Sequence, residues 1–165
     1  MDIQQLSDHV EIGQLLQLYF RGLDRLDYEL IRSCFFDNAS IDLTPFFKGN
    51  PDGFVDYVKG PGLGGFARTF HFGGNSLIEL DGDIAHTEIY ALSMGDTADE
   101  HESAGAFSVT WLRYLDRFER RNGEWRIADR RAAVDWLRID TAGMWADLPA
   151  EAKGRRDRSD PVYAR

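Results

Sequence analysis

A single cysteine, Cys34, stands in 165 residues. One thiol cannot close a disulfide within the chain, and a multi-cysteine metal site is excluded. In Ser33-Cys34-Phe35-Phe36 it reads as a small buried hydrophobe. No apolar run reaches the length of a membrane-crossing helix, and no stretch has the pattern of a secretory leader. A cytoplasmic location and no membrane partner are therefore expected. Positive charge is scarce as well. The formal net charge is −9, which argues against a non-specific nucleic-acid binder, since that function needs a basic surface. The one basic run, Lys153-Gly154-Arg155-Arg156-Asp157-Arg158, lies among diluting aspartates and reads equally as a solvated tail or a docking segment. Internal repeats and low-complexity stretches are lacking too.

What is present is globular. Hydrophobic residues make up 43% and aromatics 13%, enough to bury a core, and the length fits one domain. Asp8-x-x-Glu11 has the form of a capping box and predicts a helix start. Ile12, Leu15, Leu16, Tyr19 and Leu23 follow at helical spacing, with an end near Asp24 or Arg25. Asp27 predicts the cap of a short second helix running to about Phe35, with Leu30, Ile31 and Cys34 inward. Ala39 to Leu43 alternates as a strand does, and Asp52 to Val58 reads as a short helix. The glycine-rich loop Gly60 to Gly65 lacks the lysine of a phosphate-binding loop and reads as a lid or plain connection. Strands are predicted over Arg68–Leu80 and Ile84–Met94 around Asp81-Gly82, and over Ala106–Arg121 and Glu124–Asp140 around Asn122-Gly123. Helices followed by a long meander predict an α+β fold, with the helices packed on one face of a curved sheet.

The Asn122-Gly123 turn pairs Arg121 with Glu124. Continued without interruption, that register places Leu115 opposite Arg130, Trp111 opposite Val134 and Val109 opposite Trp136. One face then holds Val109, Trp111, Leu115, Ala128, Ala132, Val134 and Trp136, and its apolar character points it inward. Tyr114, Asp116, Asp129, Arg131 and Asp135 fall on the other face. Arg130 lies in the middle of the inner face. There it is either half of a buried ion pair or a cationic donor aimed at a ligand.

His71, in Arg68-Thr69-Phe70-His71-Phe72-Gly73-Gly74-Asn75, shares strand parity with Asn75 and Leu77. An uninterrupted hairpin adds His86, Glu88, Tyr90 and Leu92 to that face. His71 is either a packed core residue or a base. Gly73 and Gly74 leave room for a bulge or for a ligand. Asp24, at the edge of the apolar stripe of the first helix, is a carboxylate that could orient the imidazole.

These stretches together resemble the SnoaL-like branch of the nuclear transport factor 2-like superfamily: Tyr19-Phe20-Arg21-Gly22-Leu23-Asp24, Thr69 to Asn75, Asp81-Gly82-Asp83-Ile84-Ala85, and Arg121 to Arg130. The resemblance covers nearly the whole chain. Within the branch, the chain is most similar to scytalone dehydratase, bile acid 7α-dehydratase and hexachlorocyclohexane dehydrochlorinase. It implies a conical α+β barrel, residues 1–140, with a C-terminal segment, 141–165, on the barrel or on a neighbouring subunit. It implies Asp24 and His71 as an Asp-His base, with Tyr19 and Arg130 assisting at substrate oxygen or at the leaving group. The expected activity is a cofactor-independent, dehydratase-like elimination on a small cyclic, largely apolar substrate, with no metal. A steroid isomerase, a polyketide cyclase-like enzyme and a non-catalytic small-molecule-binding module are the alternatives. Trp111, Trp136, Asn75 and Tyr90 are the expected substrate-binding residues. A homotrimer is expected, with a dimer as the alternative, and an outer sheet face carrying Leu112, Phe118, Ile127 and Leu137 fits an interface. Met144 and Trp145 are expected to cover the pocket mouth, since burying such side chains gains about 2 kcal/mol each.

Overall fold

The computed structural model describes residues 1–96, 106–141, 149 and 153–163. Helix α1 spans Ile3–Arg25 and begins earlier than Asp8. Its N-cap is Asp2, which forms a capping box with Gln5. Asp8 has a different use. It is buried and accepts hydrogen bonds from Trp125 Nε1 at 3.0 Å and Arg120 Nη1 at 2.7 Å, which ties the helix to the last hairpin. Helix α2, Tyr28–Ser33, is capped by Asp27 as the sequence predicts, with Ile31 and Cys34 buried. Strand β1 (Phe35–Leu43) and the short β2 (Phe47–Gly49) follow, then α3 (Pro51–Tyr57) and one π-helical turn, Val58–Gly62.

The sheet is completed by β3 (Arg68–Asp81), β4 (Ile84–Asp96), β5 (Ala106–Arg121) and β6 (Glu124–Thr141). Its order is β2-β1-β6-β5-β4-β3, and β1 runs parallel to β6 while all other pairs are antiparallel. The sheet is mixed and open, not a closed barrel. The helices cover its concave face, where Ile12, Leu16, Tyr19, Phe20 and Leu23 of α1 meet Phe35, Ile89, Phe118 and Ile127. No helix among the described residues is long and apolar enough to cross a membrane.

Three bulges decide which side chains face inward. At Asn122-Gly123 both turn residues have positive φ, 53° and 83°, and Arg121 pairs with Glu124 as expected. An extra residue near Ala128 then shifts the register, so Arg130 lies opposite Asp116 and not Leu115. A second shift sets Trp111 opposite Trp136. The inner face of β5 is therefore Thr110, Leu112, Tyr114, Asp116 and Phe118, all buried. Leu115 and Trp136 point outward, the latter 70% exposed, and Trp111 meets Trp136 edge-on on that outer side. Of the face expected to be inside, Val109, Trp111, Leu115 and Trp136 lie on the outer side, whereas Ala128, Arg130, Ala132 and Val134 of β6 face inward as expected. For the same reason Leu112, Phe118 and Ile127 belong to the core and not to an outer apolar surface.

In the other hairpin the turn residues are Gly82-Asp83, with Asp81 opposite Ile84. A third bulge lies at Gly74-Asn75, between the pairs Gly73–Ala91 and Ser76–Ile89. It rotates His71 away from the face of Leu77, His86, Glu88 and Tyr90 and sets it opposite Ser93.

Residues 153–163 pack on the helical side. Asp160 is buried, pairs with Arg25 at 3.2 Å and accepts from the Arg155 backbone N–H. Tyr163 donates to Asp27 at 3.2 Å. The expected contacts of Met144 and Trp145 lie outside the described residues.

Candidate active site

The close approach of α1 to β3 builds the site. Phe20 and Asp24 are one turn apart on the helix, and Gly73 and His71 are two apart on the strand, so each pair shares a face. Phe20 rests on Gly73, where a Cβ would stand 2.4 Å from the ring. No larger residue permits this contact. One turn further along, Asp24 meets His71, 47 residues away in sequence: Oδ1 lies 2.7 Å from Nδ1, and the His71 backbone N–H donates to Oδ2 at 2.9 Å. Both carboxylate oxygens are thus held by one residue. A carboxylate only accepts, so in the neutral ring Nδ1 carries the proton and Nε2 has the lone pair. The Ser93 hydroxyl, 3.0 Å from Nε2, donates to it. Phe20 stacks near the imidazole, which is almost fully buried.

His71 and Ser93 lie in the wall of a cavity of about 340 Å³ between the sheet and α3. Its lining is mostly apolar, with Leu23, Phe54, Val58, Met94 and Leu112 among the contributors. The polar exceptions are hydroxyls: Tyr19, Tyr57, Thr69, Ser93, Ser108, Thr110 and Tyr114. Among the described residues the Tyr19 and Thr69 oxygens are buried without a geometric hydrogen-bond partner. Burial raises the Tyr19 phenol above its ordinary value, against the opposing Arg130 charge, and raises Tyr114 further. Both stay protonated at neutral pH and can donate. Among the described residues no lysine or arginine lines the cavity, and no cluster of three His, Cys, Asp or Glu is placed to hold a metal ion.

Arg130 faces inward but lies beneath the cavity, not in its wall. It donates twice to Asp116, at 2.8 and 2.6 Å, and neither side chain is exposed. Its guanidinium sits between the Tyr19 and Tyr114 rings, 4.0 and 4.5 Å from their centres. Burial works against the Arg130 charge. The Asp116 carboxylate outweighs it and holds the guanidinium above its ordinary range. Burial also raises the Asp116 carboxyl, opposed by Arg130.

Asp24 and His71 are therefore paired, and Tyr19 and His71 are both in the cavity wall. The expected substrate-binding residues are not. Trp111, Trp136 and Tyr90 are on the outer sheet face because of the bulges. Tyr90, 48% exposed, stacks under Arg113, and Asn75 is exposed in its own bulge. Ser93, Thr69 and Tyr114 were missed. The glycine pair before Asn75 was the signal that could have found Ser93, because a bulge there changes the partner of His71.

Helices on a concave mixed sheet, with the cavity between them, define a nuclear transport factor 2-like fold. The SnoaL-like domain family matches residues 4–131, and the chain belongs to that family. It is 29% identical over 133 residues to an uncharacterized protein of Mycobacterium tuberculosis, covering 79% of this chain and 87% of that one. Among solved structures it is similar to a type 2 hexachlorocyclohexane dehydrochlorinase, with a TM-score of 0.77 at 20% identity over 91% of this chain and 99% of the other. A candidate scytalone dehydratase from Novosphingobium aromaticivorans gives 0.72 at 18% identity over 93% and 99%. At such identities the likeness is one of fold.

Proposed function

We propose that the protein is a cofactor-independent lyase that eliminates water from a small, neutral, cyclic ketone or a similarly activated substrate. The observation that carries this reading is the state of His71. Its Nδ1 is fixed by Asp24, its Nε2 meets only the Ser93 hydroxyl among the described residues, and the residue lines an apolar cavity. Nε2 takes the proton from the carbon next to the carbonyl. The electron pair moves into the carbonyl oxygen, to which the protonated Tyr19 phenol donates a hydrogen bond. The enolate then expels the β-hydroxyl, which leaves as water with the proton returned from the imidazolium. Such general-base catalysis contributes about a hundred- to ten-thousand-fold in rate. Arg130 acts from behind Tyr19 as a positioning residue, and does not touch substrate.

The hydroxyl-lined wall, cation-free among the described residues, suits a neutral ligand. With no leaving group on the substrate, the same proton transfer gives an isomerase or a cyclase-like enzyme. With no proton transfer, the cavity is a binding module. The likeness to a dehydrochlorinase and a candidate scytalone dehydratase favours elimination. We assign the active form as a homotrimer, with a dimer as the alternative. The test is turnover of hydroxylated cyclic ketones and steroids. Product is expected with the native chain and absent with His71→Ala. Ligand binding without turnover across the panel would leave the binding module as the correct reading.

A further inference from the structure

The hydroxyl of Ser93 has no task in that elimination, yet it sits where a nucleophile would. We propose that Asp24, His71 and Ser93 also form an acyl-transfer triad, and that the cavity cleaves small neutral esters with an apolar acyl group. The contacts run in the order such chemistry needs. Asp24 Oδ1 is 2.7 Å from His71 Nδ1, and His71 Nε2 is 3.0 Å from Ser93 Oγ. Ser93 lines the cavity, beside the space a bound carbonyl would occupy.

A second, independent observation concerns the oxyanion. Thr69 Oγ1 is buried with no hydrogen-bond partner among the described residues, and it lines the same cavity as the buried, protonated Tyr19 phenol. Thr69 pairs with Gly95 while His71 pairs with Ser93, so Thr69 and Ser93 are diagonal neighbours on one face. Unspent donors beside a nucleophile are what a developing alkoxide requires.

In the first step the Ser93 Oγ–H proton passes to His71 Nε2 as Oγ bonds to the acyl carbon, and the carbonyl electron pair moves to oxygen. The intermediate collapses, the bond to the alcohol oxygen breaks, and that oxygen takes the proton from Nε2. Water then repeats the sequence on the acyl-serine and yields a carboxylic acid and free Ser93. Among the described residues no lysine or arginine in the cavity wall pairs with the ionised product.

This activity uses the same dyad as the elimination, but its readout is separate. The intact chain is treated with phenylmethanesulfonyl fluoride and mapped by peptide mass spectrometry, and p-nitrophenyl butyrate hydrolysis is followed alongside. One adduct, on Ser93, is expected, with hydrolysis abolished in Ser93→Ala. Both rates should fall at least about a hundredfold in His71→Ala and Asp24→Asn, with melting curves checking that each variant is folded. An unmodified Ser93 in the folded native chain overturns the proposal, as does labelling at an unchanged rate in Asp24→Asn. Labelling at Ser93 in a chain that moves no carbon-bound proton would uphold the triad and sink the elimination.

Discussion

Arg130 is tolerated at zero exposure only because Asp116 takes two of its N–H groups and two tyrosine rings cover its faces. Removing either partner strands the other charge in the core. Arg130→Met and Asp116→Leu should each destabilise the fold by about 3–5 kcal/mol, whereas the double substitution should recover most of that loss. Urea unfolding of the three variants checks the cycle. Equal and additive losses would mean that the pair is not coupled. The sequence made Arg130 legible as an inward arginine but hid Asp116. The bulge near Ala128 sits between Phe118–Ile127 and Arg117–Asp129 and carries no glycine or proline to mark it.

Elements were easier to read than registers. The four long strands fall almost where alternation and turn dipeptides put them, because those signals are local. Which face turns inward depends on single inserted residues, and one such residue exchanged Trp111 for Leu112 in the core. The Gly74-Asn75 bulge and the Gly73 contact act together on the site, one aiming His71 and the other admitting α1. Gly73→Val should push α1 off β3, cost about 1–3 kcal/mol and lower turnover. Denaturant unfolding read beside activity tests this, and a variant with native stability and native turnover would contradict it. The tail has its own titration. Backbone N–H groups of Arg155 and Val162 and the Arg25 guanidinium hold Asp160 below its ordinary value of 3.8. A depressed carboxyl contributes stability that is present above the unfolded value and lost as pH falls through the folded one. Residues 153–163 should therefore detach below about pH 3.8, as seen in the Val162 amide resonance, and Asp160→Asn should loosen them at neutral pH. An amide signal unchanged down to pH 2 would contradict that anchoring.

For the molecule as a whole, the outer sheet face displays Phe70, Phe72, Tyr90, Leu115 and Trp136. These differ from the residues the uninterrupted registers suggest, yet the surface they make is still apolar, and such a patch points to association. Light scattering should give a trimer, or failing that a dimer, and Phe72→Asp should dissociate it. A dilute native monomer would contradict the assembly. The fold class and the Asp24–His71 approach were legible because they rest on helical spacing and on family motifs. The cavity wall was not, because it depends on the bulges. The central claim is that His71 takes a proton from carbon, and deuterium exchange tests it most directly. 2-Tetralone, a neutral bicyclic ketone with an activated CH₂ and no leaving group, is incubated with the protein in D₂O and followed by proton NMR. Exchange at that carbon is expected at least about a hundredfold faster than with His71→Ala. Equal exchange by the native chain and the variant would contradict it.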